Sequence, residues 1–173
     1  GIPINKAHLA LGLNFPSWVF REALSESVKF KKLILMGGQL FHPKHPPKLN
    51  ENDQLLWKQI ENTLARNKYS PPIVHDVGKY TGIEIKSLEA LFVKLCDFGL
   101  LIRVTKNRYF LQTSIKELAN IVQKVALEDK DGEVDINKFR GQSSIGRNVA
   151  VEVLEFFDRV GLTKRGIKGR SII

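Results

Sequence analysis

Apolar positions follow a helical period through most of the chain. Three times they switch to short runs around a polar or glycine-containing turn. The pattern is clearest at the end. Ile145, Val149, Val153, Leu154, Phe157 and Val160 form one stripe of a 3.6-residue period, and Gly161 stands where a helix ends in a left-handed residue. Two β-like runs follow, Leu162 to Arg165 and Arg170 to Ile173, joined by Gly166-Ile167-Lys168-Gly169. Ahead of the helix lie the basic segment Asn137-Lys138-Phe139-Arg140-Gly141 and a turn running through Gln142, Ser143, Ser144, Ile145 and Gly146 to Arg147.

The same order recurs upstream. Residues 53–66 predict a helix with Leu55, Leu56, Ile60 and Leu64 apolar, and Pro71-Pro72 breaks the chain after it. His75 to Tyr80 predicts a short helix. Residues 86–98 predict a longer one, with Leu88, Leu91, Phe92, Leu95 and Phe98 inward, ended by Gly99. Strands are expected over 101–105 and 108–111, around Lys106-Asn107. Ser114-Ile115-Lys116-Glu117 has capping-box spacing at the head of a helix reaching about Leu127, and the polar turn Asp129-Lys130-Asp131-Gly132 follows it. Nearer the start, residues 3–14 predict a short helix and Asn14-Phe15-Pro16-Ser17 a turn. A second helix runs to about Phe30, with Val19, Phe20, Leu24 and Val28 on one face, and a hairpin follows around Gly37-Gly38.

A shift of 62 residues lays Ile83 on Ile145, Gly99 on Gly161, Arg103 on Arg165, Lys106 on Lys168 and Arg108 on Arg170, the mark of an array of like units. Helix, turn, helix and two-stranded wing define a winged-helix module. The expected fold is mainly α with small β wings, as tandem winged-helix (helix-turn-helix) modules: 1–48 partial, lacking its first helix, then 49–112, then 113–173. The stiff connector His42-Pro43-Lys44-His45-Pro46-Pro47-Lys48 joins the first two. The start at Gly1-Ile2-Pro3, inside a module, reads as a fragment.

Charge narrows the choice of partner. The 173 residues carry a formal net charge of +9 with a pI near 9.7, which favours an anionic partner. A single cysteine excludes an internal disulfide and fits a reducing, cytoplasmic compartment. No apolar run suits a membrane span or a signal peptide. There is no Gly-x-x-x-x-Gly-Lys-Ser/Thr phosphate loop. His8, His42, His45 and His75 do not stand at zinc-site spacing with Cys96. The acidic group Glu128, Asp129, Asp131, Glu133 and Asp135 partly matches a calcium loop, but Arg140 occupies the twelfth place counted from Asp129, where a bidentate Glu belongs. A solvated loop is the expectation there, and no enzymatic or metal site is predicted.

From Ile136 onward Lys138, Arg140, Arg147, Arg159, Lys164, Arg165, Lys168 and Arg170 face only Glu152, Glu155 and Asp158. A helix N-terminus flanked by Ser143, Ser144 and Arg147 offers backbone N–H groups, hydroxyls and a guanidinium suited to phosphate. The candidate nucleic-acid-binding residues are Lys138, Arg140, Gln142, Ser143, Ser144, Gly146, Arg147, Asn148, Lys164, Arg165, Lys168 and Arg170. Glu152, mid-helix and acidic, is expected to be neutral or slightly adverse to binding. The second module reads mainly as a spacer. Winged helices more often read the DNA major groove, which is too deep and narrow in A-form RNA for a helix. A DNA-binding regulator and a protein–protein interaction array are therefore the alternatives.

Phe139-Arg140, Gly146-Arg147 and above all Leu154-Glu155-Phe156-Phe157-Asp158-Arg159-Val160-Gly161-Leu162-Thr163-Lys164-Arg165 resemble the C-terminal end of the bacterial selenocysteine-specific translation elongation factors (SelB). That resemblance implies an mRNA-binding arm that grips a hairpin, the SECIS element, beside a UGA codon. It implies the ribosome as a partner of the full-length factor. GTP and Mg²⁺ are implied only for domains absent here, so no cofactor belongs to this stretch. A cytoplasmic monomer with no membrane partner is expected.

Overall fold

The computed structural model describes residues 1–12, 16–166 and 169–173. Asn14 and Phe15 of the first predicted turn, and Ile167 and Lys168 of the last, lie outside the described residues. The chain is mainly helical with small antiparallel wings. The first unit contains β1 (Ile2–Pro3), α1 (Ile4–Ala10), α2 (Ser17–Lys29), β2 (Ile34–Met36) and β3 (Gln39–Phe41). The second contains α3 (Glu51–Arg66), α4 (Val74–Thr81), α5 (Ile85–Asp97), β4 (Leu101–Arg103) and β5 (Tyr109–Leu111). The third contains α6 (Gln112–Leu127), α7 (Ile136–Ser143), α8 (Arg147–Arg159), β6 (Thr163–Arg165) and β7 (Arg170–Ile172). No helix among the described residues is long and apolar enough to cross a membrane.

The helix before each wing repeats closely. α2, α5 and α8 each have 13 residues. After each comes a cap and then a residue of positive φ: Lys31 at 56°, Gly99 at 66° and Gly161 at 75°. The left-handed residue reverses the chain into the wing, and glycine does this without the Cβ clash that Lys31 bears. The first unit adds β1, which pairs antiparallel with β3 (Ile2 opposite Leu40) to give the sheet order β1-β3-β2. In the third unit Glu133 bridges Ser171, and the Val134 N–H donates to the Arg170 carbonyl at 2.6 Å. A two-residue strand is too short to carry a periodic signal, so β1 was not expected from the sequence.

The wing of the second unit is shared between two cores. Side chains alternate across a strand. Leu101 and Tyr109 turn toward Ile60, Leu64, Leu88, Phe92 and Leu95, while Val104 and Phe110 turn toward Leu118, Val122, Phe139, Leu154 and Phe157. β5 then runs straight into α6, whose N-cap position is Leu111. No turn is left in which Ser114 can cap. It is buried in the first turn with its hydroxyl unpartnered, and Glu117 accepts from Tyr69 and pairs with Lys68 instead. The expected capping box is thus absent. The boundary drawn at residue 112 separates α6 from strand residues that fill its core.

The first unit is packed least. Among its described residues Leu24 and Leu40 are the buried apolar side chains, while Leu9, Trp18 and Phe30 are exposed. An apolar groove between α1, α2 and the wing, lined by Ile2, Leu11, Val19, Phe20, Leu24 and Leu40, takes the place of the face that α3 and α6 cover in the other units. Its wing is nonetheless anchored. At Gly37 a Cβ would collide with the Asp97 carbonyl at the end of α5, and at Gly99 one would meet the Gly37 nitrogen at 2.8 Å.

Phe110→Ala is expected to cost about 3–5 kcal/mol. It should lower the melting temperature of the helices on both sides of the wing together. Amide exchange that speeds up only in residues 101–111 would show that the wing is not a shared wall.

Candidate nucleic-acid interface

The candidate interface is built from the turn between α7 and α8. Asp135 caps α7, its carboxylate accepting from the Lys138 N–H at 2.7 Å. Phe139 anchors the helix in the core, and Ser144 ends it in the left-handed region (φ 55°, ψ 35°). Gly146 then occupies the N-cap of α8 with extended backbone and no side-chain cap. The first N–H groups of α8 are therefore free of side-chain partners, beside Arg147 and Asn148, which are both exposed. Such a terminus favours an anion.

The structure sorts the candidate residues by what already holds them. Ser143 is buried, and its hydroxyl donates to the Phe139 carbonyl at 2.6 Å, because the segment read as a turn is the last turn of α7. It turns inward and offers nothing to phosphate. Gln142 donates to Glu128 at 2.8 Å, Lys138 pairs with Asp129 at 3.0 Å, and Arg140 reaches Asn137 at 3.4 Å with its Nε buried and unpartnered. Arg170 is held hardest. It grips Asp158 with Nε at 2.9 and 3.1 Å and Nη2 at 2.7 Å, and the Thr163 hydroxyl donates to the same carboxylate at 2.6 Å. This pair joins the end of α8 to both wing strands, so Arg170 is a wing clamp rather than a free phosphate ligand. Lys168 lies outside the described residues.

Arg147, Lys164 and Arg165 remain exposed and outside any ion pair among the described residues. Arg147 and Arg165 line one polar cleft between α8 and the wing, shared with Lys138, Val151, Glu155 and Gly169. Val151 and Glu155 were not singled out from sequence. Their i+4 and i+8 spacing from Arg147, opposite the apolar stripe, was the available signal. Val160, counted into that stripe, is 58% exposed because the chain turns at the α8 C-terminus before reaching the core.

Glu152 is engaged in the fold. It accepts from Arg108 Nε at 2.7 Å, Arg108 also donates to the Pro71 carbonyl, and Arg159 Nη2 donates to the Val104 carbonyl at 2.6 Å. Two of these links, Arg108–Glu152 and Arg159–Val104, bind the helix beside the cleft to the preceding unit, and the Pro71 carbonyl holds Arg108 in place for the first. Glu152→Ala should lower the melting temperature, since it leaves a largely buried Arg108 without its carboxylate. An unchanged melting temperature would remove the pair from the fold's support.

Arg170 and Thr163 hold the Asp158 carboxyl below the usual carboxylate range against the opposing effect of burial. A depressed folded-state pKa contributes stability that is present above the unfolded value, about 3.9, and lost as pH falls through the folded one. The stability gap between the wild-type chain and Asp158→Asn is therefore expected to be full near neutrality and to shrink below about pH 4. Thermal melts of both proteins between about pH 3 and 7 read this directly. A gap that stays constant down to the acid end would rule out the linkage.

Residues 126–169, which contain α7, α8 and the first wing strand, match a family model described as "Elongation factor SelB, winged helix". The selenocysteine-specific elongation factor of Escherichia coli (strain K12) is 29% identical over 128 residues, 74% of this chain and 20% of that protein. That of Haemophilus influenzae is 24% identical over 153 residues, 88% of this chain and 24% of that protein. The chain thus spans about a fifth to a quarter of the length of these curated relatives. A solved mRNA-binding domain of elongation factor SelB from E. coli, in complex with SECIS RNA, superposes with a TM-score of 0.63 at 27% identity. It covers 72% of this chain and 98% of its own. A bacterial selenocysteine-specific elongation factor (EF-Sec) shares the fold over the whole chain, with a TM-score of 0.53 at 16% identity and 26% of its own length covered. The resemblance carried by Leu154 to Arg165 is borne out, and it extends over most of the chain: this protein is similar to the winged-helix region of the SelB selenocysteine-specific elongation factors.

Proposed function

We propose that this chain is an mRNA-binding arm that holds a SECIS-type hairpin in the cleft between α8 and its wing. Arg147, Lys164 and Arg165 supply the charge, and the open N-terminus of α8 receives a phosphate. The observation that carries this reading is the exposed pair Arg147 and Arg165 in one cleft, with Lys164 next to Arg165 on the wing strand, in a fold whose similar domain was solved with SECIS RNA. A-form RNA closes its major groove to a helix, so the arm meets a loop or bulge, where unstacked bases are within reach of Arg147 and Asn148. The binding is not enzymatic. It raises the local concentration of whatever the arm is joined to. In the full-length factor that cargo is a GTPase, with GTP and Mg²⁺ in its own domains, delivering selenocysteinyl-tRNA to a ribosome paused at UGA in the cytoplasm. The arm acts as a monomer.

Gel-shift titration of the whole chain against a SECIS-type hairpin and a DNA duplex of equal length tests the class of ligand. The hairpin should bind more tightly, with affinity falling steeply as salt rises, because phosphate contacts release counterions. Arg147→Ala should weaken the hairpin about ten-fold or more and blur discrimination between loop variants, by analogy with arginine–guanine readout. A folded Arg147→Ala protein with full, selective binding would move the site elsewhere, and preference for the duplex would replace RNA with DNA.

A further inference from the structure

The first unit presents a surface that the hairpin site does not use. α2 stands before its wing as α8 does, and both are 13-residue helices. Counted from the first helical residue, Ser17 corresponds to Arg147, Trp18 to Asn148, Arg21 to Val151 and Ser25 to Glu155. Trp18, Arg21, Ser25 and Lys29 follow at i, i+3, i+7 and i+11, one stripe of the helix, and all four are exposed. The opposite stripe, with Leu24 buried, faces the unit's own groove. Trp18 is 70% exposed, although an indole is costly to leave in water.

We infer that this face of α2 is a second nucleic-acid surface, which stacks an unpaired base on Trp18 and takes the flanking phosphates on Arg21 and Lys29. Two independent observations support a polyanion over a protein partner. Lys6, Arg21, Lys29, Lys31 and Lys32 are all exposed and outside any ion pair among the described residues. From Gly1 to Asn50 only Glu22 and Glu26 oppose the basic residues. Among the described residues of α2, Trp18 shares its face with Arg21, Glu22 and Ser25 rather than with an apolar patch such as a protein interface would bury. An exposed aromatic with a cation one turn away and a second further along the same stripe is an arrangement that binds single strands. Stacking is indifferent to base identity and the cations follow the backbone, so the surface recognises single-stranded RNA without strong sequence preference.

The test uses the whole chain carrying Trp57→Phe, so that Trp18 is the sole tryptophan emitter. The protein is first saturated with unlabelled hairpin, and a short labelled oligouridylate is then titrated in. Saturable quenching of Trp18 emission is expected. Trp18→Ala should weaken the oligouridylate by about ten-fold in anisotropy, Trp18→Phe should hold near the parent, and Arg21→Ala should weaken it while steepening nothing in the salt dependence. Hairpin affinity should not change in any of these variants. Absence of quenching, or full oligouridylate affinity in Trp18→Ala, would overturn the inference. Trp18 emission reads this surface whether or not the hairpin binds, so a failure of the hairpin site would be seen separately in its own titration.

Discussion

The double-sided wing of the second unit is the constraint on which the rest of the chain depends. β4 and β5 are three residues each, and in isolation such a hairpin would be marginal. Here every side chain of Phe110 and Val104 is enclosed by one helical core, while Leu101 and Tyr109 complete another. Because β5 continues into α6 without a turn, the two units have no swivel between them at that point. The contacts of Arg108 with Glu152 and of Arg159 with the Val104 carbonyl then extend the junction to α8 itself. The helix that borders the cleft is thereby oriented by a wing from the unit before it.

Partner geometry decides which charges are available. A net charge of +9 describes long-range attraction to an anion, but it does not say which cations can touch one. Arg170 is fixed by a bidentate carboxylate, and Lys138 and Gln142 are occupied by acids of the turn between α6 and α7. Sequence alone predicts a solvated acidic loop there. Asp129 instead organises it, accepting from the Asp131 and Glu133 N–H groups at 3.1 and 3.3 Å, as well as from Lys138. The acids that looked like dilution of a basic surface are its scaffold. They consume some cations and leave Arg147, Lys164 and Arg165 exposed at the cleft and wing.

Much of this was legible in the chain. The apolar period of α8, the glycine after it and the 62-residue recurrence are local or pairwise properties of the sequence, and they led to winged-helix order. Arg147 at the head of α8 and Lys164-Arg165 on the wing were placed by those same local rules. What local rules could not supply was the state of each side chain. Ser143 and Ser114 carry the residue types of caps and anion ligands. Whether a hydroxyl faces solvent or core depends on where the neighbouring helix begins, and in both cases it begins elsewhere. Arg170 and Glu152 found partners 12 and 44 residues away, through contacts that exist only once the wings are folded against the helices. The sequence by itself determined the order of the helices and the wings that follow them, and the place of the candidate site. Tertiary packing alone decided which of its polar groups remain unsatisfied and therefore able to bind, because a hydrogen bond or ion pair made inside the fold is withdrawn from any ligand.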